Sequence, residues 1–275
     1  MRPRLLSLLA CALLFGATPL AAAPDGELWA QIELVSKDLR KNPRRADLFL
    51  RRADLLRRFR QFPGALADVK QARRLDPALS AAGRIEGRIL RDAGHTWRAL
   101  RAYGEFLEHN PNVHGARLER AQLWASVNRL RSAVRDYDHV IAGDAKPSPD
   151  VFMARHDLQL RQGPGLRSAA LAGLETGLTK LGPIISLELP ALQLETELGH
   201  YERALARIER IAKVLPRLDG WWLHRAEVLR AAGRQAEAQS AYRSALNKLA
   251  QVPASRRRMT LVQDMIRQAQ AGLDG

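Results

Sequence analysis

Proline recurs at a fixed interval in this chain: Pro43, Pro77 and Pro111 are evenly spaced. Alanine keeps the same step at Ala65, Ala99 and Ala133, and again at Ala204 and Ala238. A constant period of roughly 34 residues marks a stacked-repeat architecture, because each unit is one supersecondary motif that cannot bury its apolar face alone. The gap from Ala133 to Ala204 is two such periods and three positions more. The surplus fits an enlarged loop over 143–149, where Gly143, Pro147 and Pro149 punctuate the chain.

The strings around these landmarks read as paired helices. Phe62-Pro63-Gly64-Ala65-Leu66, His95-Thr96-Trp97-Arg98-Ala99 and His200-Tyr201-Glu202-Arg203-Ala204 each set a small Ala early in a helix after a tight turn. One helical turn later comes a bulky residue: Val69, Tyr103, Tyr137, Ile208 or Tyr242. Asp76-Pro77, Asn110-Pro111 and Leu215-Pro216 then stop the helix, since proline forces its predecessor out of the α region. The preceding helices repeat as well. Phe49, Ala53 and Leu56 become Gly83, Gly87 and Leu90, then Arg117, Ala121 and Trp124, then Trp222, Ala226 and Leu229. Spacings of four and three place each trio on one face, and the small middle residue lets the partner helix approach. Ala, Leu and Arg dominate and aromatics are only 5%, a composition that favours helix over strand.

This pattern resembles the tetratricopeptide repeat family, whose unit of about 34 residues runs bulky, small, aromatic or Leu, Ala, aromatic, Ala and Pro. Residues 46–79 carry Phe49, Ala53, Leu56, Ala65, Val69, Ala72 and Pro77 at the matching positions. The resemblance spans about 46–142 and 185–250. Over 149–184 the fit is poor, because His156 and Gln159 stand where small and bulky residues belong. The resemblance implies an all-α fold, a right-handed α-α superhelix of about six helix pairs with one degenerate repeat. The chain then divides into a leading helix (24–45), repeats one to three (46–145), a degenerate fourth (146–184), repeats five and six (185–253) and a capping helix (254–275). The cap would bury Met259, Val262, Ile266 and Ala269 on one face.

Residues 1–23 read as a Sec-type signal peptide. Arg2 and Arg4 precede an apolar stretch over 5–15, and small residues follow to Ala23, with cleavage expected between Ala22 and Ala23. An uncleaved anchor is one rival, but it needs about 20 apolar residues, and Gly16, Thr18 and Pro19 interrupt this run. A lipoprotein acylated at Cys11 is the other, and it would set the cysteine in mid-apolar segment. The expectation is an exported, periplasmic bacterial protein with no stable membrane span after cleavage. Cys11 is the only cysteine, so the chain holds no internal disulfide and no Cys-based metal site.

The formal charge is +15, carried by 37 Arg and only 7 Lys. The Arg are spread along the chain among Asp and Glu, without the one-sign block of a nucleic-acid tail, and export also argues against nucleic acid. No two of the seven histidines lie three or four apart, so a helical metal pair is missing. P-loop, dinucleotide and Gly-x-Ser-x-Gly patterns are absent, and the acid pairs Glu195/Glu197 and Asp136/Asp138 are two apart and face different directions. We therefore expect no catalytic residues, no metal and no cofactor, and a binding protein in place of an enzyme.

The resemblance implies a concave wall built from first helices, with positions five, nine and twelve of each repeat looking inward. In repeat two these are Arg84, Arg88 and Arg91, one stripe of guanidinium forks that suit carboxylates and phosphates, and Arg51 would extend it. The expected partner is an acidic peptide or protein segment; the alternative is an anionic envelope polymer or lipid, for which the chain would be a carrier. An ordinary solvated face is the plain reading of the same arginines, with i,i+4 pairs such as Asp47–Arg51 and Asp54–Arg58. The Lys and Asn carboxylate clamp of some family members is not carried over, since Leu50 and Asp54 occupy its positions in repeat one. Trp222 falls on a core position, which leaves Trp221 as a possible exposed contact.

Overall fold

Every element described is a helix, and in five of the six helix pairs one backbone motif controls how the first helix hands over to its partner. The computed structural model describes residues 24–214 and 220–274. Residues 1–23, with the expected export signal and Cys11, and the Leu215-Pro216 stop lie outside the described residues. Two units are distinguished, 1–109 and 110–275. The first contains α1 (Pro24–Lys41), α2 (Ala46–Arg58), α3 (Phe62–Leu75), α4 (Ala81–Asp92) and α5 (Thr96–His109). The second contains α6 (His114–Ser126), α7 (Leu130–Gly143), α8 (Pro149–Arg161), α9 (Arg167–Leu181), α10 (Ile185–Glu197) and α11 (Tyr201–Val214). It continues with α12 (Trp221–Ala231), α13 (Gln235–Ala250), α14 (Ala254–Arg257) and α15 (Thr260–Asp274).

Within each unit a helix packs mainly on its neighbours in the chain, and first helices also meet: α2 touches α4, and α8 touches α10. That nearest-neighbour pattern is the mark of a helical-repeat stack. Between the two helices of a pair the chain passes through a left-handed residue: Arg60, Gly94, Asn128, Gly199 or Gly233. The next amide then donates to the carbonyl five residues back. These bonds run from Gln61 to Leu56, His95 to Leu90, Arg129 to Trp124 and His200 to Glu195, each at 2.8 Å, and from Arg234 to Leu229 at 3.0 Å. This Schellman closure satisfies carbonyls that the helix end would otherwise leave open. The fourth pair departs from it. Gly163 has φ 124° and ψ 170°, and a 3-10 turn over Pro164–Leu166 intervenes before α9.

The paired interface follows the small-and-bulky pattern. Ala53, Ala121 and Ala226 on first helices are buried, as are Ala65, Ala99, Ala133, Ala204 and Ala238 on second helices. So are Val69, Tyr103, Tyr137, Ile208 and Tyr242. At Gly87 the reason for smallness is explicit: a Cβ there would sit 3.0 Å from the Tyr103 ring. First helices bury a second stripe as well. Leu55, Ile89, Leu123, Leu158, Leu194 and Val228 recur at nearly the repeat interval and are all buried.

The C-terminal segment is not one helix. It breaks at Arg258-Met259, so Met259 is 53% exposed and not part of the buried face expected for it. Val262 and Ala269 are buried, and α15 lies on α13 and α12. Gly272 permits this docking, because any Cβ there would collide with the Tyr242 ring.

The left-handed turn makes a paired prediction. Arg60 carries a Cβ at φ 61°, where Gly94 carries none at φ 80°. Arg60→Gly should raise stability by about 1 kcal/mol and Gly94→Ala lower it by about as much. Opposite shifts of the urea midpoint would show this.

Candidate functional site

Arg84, Arg88 and Arg91 lie half-buried on α4, the first helix of repeat two. Asp54 and Asp92 are interlaced with them. Arg88 Nη1 is 3.7 Å from Asp54 Oδ1, and Arg91 Nε donates to Asp92 at 2.8 Å. Arg57 of α2 joins the two carboxylates: its Nε donates to Asp54 at 2.9 Å and its Nη1 pairs with Asp92. Burial alone would raise the Asp92 pKa, but hydrogen bonds and charge from Arg91 and Arg57 outweigh it and hold the carboxyl below its ordinary range.

Arg51 is exposed, and Arg57 is the α2 arginine that reaches this face in its place. The expected i,i+4 pairs give way to better forks. Asp47 is held by Arg45 through two bonds at 2.8 and 2.6 Å, and Asp54 pairs with Arg57 and Arg88 in place of Arg58. Trp221 is only 4% exposed and belongs to the core of the second unit, which corrects its expected role as a surface contact. It occupies a first-helix position where Ala82, Ala116, Val151 and Leu187 are also buried. Its neighbour Trp222 is the half-exposed one, with Lys248 Nζ 4.0 Å above its ring.

Residues 86–149 and 192–255 match the family model described as tetratricopeptide repeat. Over those two stretches, and in its all-helical fold, the chain is tetratricopeptide-like. Proteins built from this repeat generally act as scaffolds for protein interactions. Among solved structures, the C-terminal part of a TPR repeat-containing protein from Cytophaga hutchinsonii is similar over 87% of this chain and 95% of its own, with 15% identity and a TM-score of 0.61. The structure of Naa15/Naa10 bound to HypK-THB is similar over 90% of this chain and 37% of that one, with 20% identity and a TM-score of 0.57. Such likeness concerns the fold. None of the curated proteins compared with the chain matches it.

Two of the helix pairs hold a fork-to-fork ion pair. Arg52 meets Asp68 through two bonds of 2.7 Å, and two periods later Arg120 meets Asp136 at 2.8 and 2.6 Å. In each, an arginine beside the small first-helix residue grips an acid three positions past the second-helix Ala.

Repeat five reverses this polarity. Glu188 and Glu195 stand one period before Trp222 and Leu229, on the two bulky positions of the first helix, and each is 1% exposed. Arg207, three positions past Ala204, enters between them and pairs with Glu188, with Glu195 at 2.8 Å and with Glu175 of α9. Arg210 and Arg203 approach Glu188 and Glu195 from outside at 3.3 and 3.5 Å. Burial would lower the Arg207 pKa, but bonds from Glu195 and Glu188 more than offset it and raise it. Sequence reading passed over this cluster. The signal was there, as charged residues on two periodic core positions.

Beside it, α10 and α12 flank a groove of about 440 Å³ whose lining includes Leu189, Pro190, Gln193, Thr196, His224 and Glu227. This stretch of first-helix surface is largely apolar with acidic margins, unlike the arginine stripe on α4. Among the described residues, no helix is long and apolar enough to cross a membrane, and no group of three or more His, Cys, Asp or Glu is arranged to hold a metal.

Arg207→Ala strands two buried carboxylates and should destabilise the protein by about 3–5 kcal/mol, whereas Arg207→Met combined with Glu188→Leu and Glu195→Leu should be near neutral or stabilising. Denaturant melts of both variants measure the contrast. Asp92 makes a pH prediction. Its lowered pKa stabilises the fold above the unfolded value near about 3.9, and that stability is lost as pH falls through the folded value. Asp92→Asn should therefore be less stable at neutral pH and show a flatter acid-side stability profile than the parent.

Proposed function

We propose that the protein is an exported, periplasmic bacterial scaffold that holds an acidic peptide or protein segment on the α2/α4 face of its first repeats. The observation that carries this reading is the set of guanidinium forks on two adjacent first helices, Arg57, Arg84, Arg88 and Arg91. Asp54 and Asp92 tether Arg57, Arg88 and Arg91, so less side-chain entropy is lost when a carboxylate replaces water there. Arg51 is a contact at the margin of this face, and Trp221 takes no part because it is buried. Export rests on Arg2, Arg4, the apolar stretch over 5–15 and the small residues up to Ala23.

A Glu-rich peptide titrated against the protein by fluorescence anisotropy tests the binding claim. Arg84→Glu with Arg88→Glu should weaken binding by roughly tenfold or more while circular dichroism keeps its helical amplitude. Unchanged affinity removes the face from the proposal. Binding of any polyanion alike, with steep salt dependence, would replace it with a carrier of an anionic envelope polymer or lipid. Recovery of the mature chain in the periplasmic fraction, cut after Ala22, is the expected result for export.

A further inference from the structure

Repeat two lacks the buried fork. Where its neighbours have Arg52 with Asp68 and Arg120 with Asp136, it carries Glu86 and Ala102. Glu86 turns instead to Arg73 of α3, at 2.7 Å. This pair sits in a groove of about 420 Å³ lined by Leu66, Val69, Lys70, Arg73, Arg74, Glu86 and Arg98. Lys70, Arg73 and Arg74 are spaced by three and four and so share one face of α3, while Arg98 enters from the first turn of α5. Four cations thus face one carboxylate, which Arg73 already occupies, and three positive charges stay unbalanced. Lys70, Arg74 and Arg98 have no ion-pair partner among the described residues.

We propose that this groove binds a phosphate group carrying two or more negative charges. Gathering like charges at one place is unfavourable until an anion joins them, and guanidinium forks match phosphate oxygens in pairs. The anion has to concentrate its charge, because the cations line a single groove the size of a small-molecule site. A phosphate monoester or pyrophosphate does so on one small group, whereas peptide carboxylates carry one charge each along a chain. Val69, buried beneath the rim, and Leu66 give the groove an apolar floor that strengthens the pairing above it. The four cations of this groove stand on the second helices α3 and α5, apart from the arginines of the α2/α4 reading, and only Glu86 comes from α4.

Inorganic pyrophosphate titrated into the full chain at low ionic strength, followed by calorimetry, tests the proposal. The expected result is saturable one-site binding, weakened roughly tenfold or more by Lys70→Ala with Arg98→Ala and unaffected by Arg84→Glu with Arg88→Glu. Vesicles containing phosphatidic acid form the second arm. Capture on them without binding of free pyrophosphate, and lost in the Lys70→Ala, Arg98→Ala variant, supports the site with a lipid headgroup as source. Binding of free pyrophosphate supports a soluble source. Binding in neither arm overturns the proposal, as does pyrophosphate binding that survives the double substitution. A Glu-rich peptide that needs Lys70 and Arg98 where neither phosphate probe binds also overturns it, in favour of a peptide surface.

Discussion

Close approach of the two helices in each pair depends on a side chain that is almost absent. Ala53, Gly87, Ala121 and Ala226 keep the crossing point thin enough for the second helix to lie against the first, and at Gly87 the Tyr103 ring uses the vacated space. The bulky residues a turn away then fill the volume on either side, which is why size alternation and not hydrophobicity alone defines the repeat. Where the rule lapses, the pair changes character. His156 fills the small position of the fourth repeat, and there the Schellman closure gives way to Gly163 and a 3-10 turn. Leu192 fills it in the fifth, and there the adjoining bulky positions carry Glu188 and Glu195.

Charge enters this core under strict terms. Burying a carboxylate is costly unless its bonds are met, and the forks of Arg52 and Arg120 meet both oxygens of their aspartates. Repeat five needs three arginines for three glutamates, with Arg207 at the centre and Arg203 and Arg210 nearer solvent. Such networks add little net stability over a well-packed apolar core, whereas removal of one partner leaves a buried charge uncompensated. In repeat two, Glu86 and Ala102 stand where the fork would be, Glu86 pairs with Arg73 of α3, and a basic groove lies there.

The arginines of α4 were legible as a stripe, because spacing of four and three fixes which residues share a helix face. Their partners were not. A long side chain reaches several carboxylates, and the choice of Arg57 over Arg51 depends on how α2 lies against α4. The two tryptophans exchanged roles for a related reason. The period shows which face of α12 meets its own partner helix, yet Trp221 lies on the other buried stripe, with Val228. That second stripe recurs from Leu55 to Val228 and was readable in principle, but its residues do not alternate in size and carry no landmark.

By itself, the sequence determined the helix pairs, their constant step and the small-residue crossings, since these follow from local propensity, proline stops and the period of a single helix. Tertiary structure alone decided which charges meet, where the grooves lie, and that Met259 faces solvent. Those features join residues on different helices, and the rotation of one helix against the next, which local spacing does not encode, sets their distances.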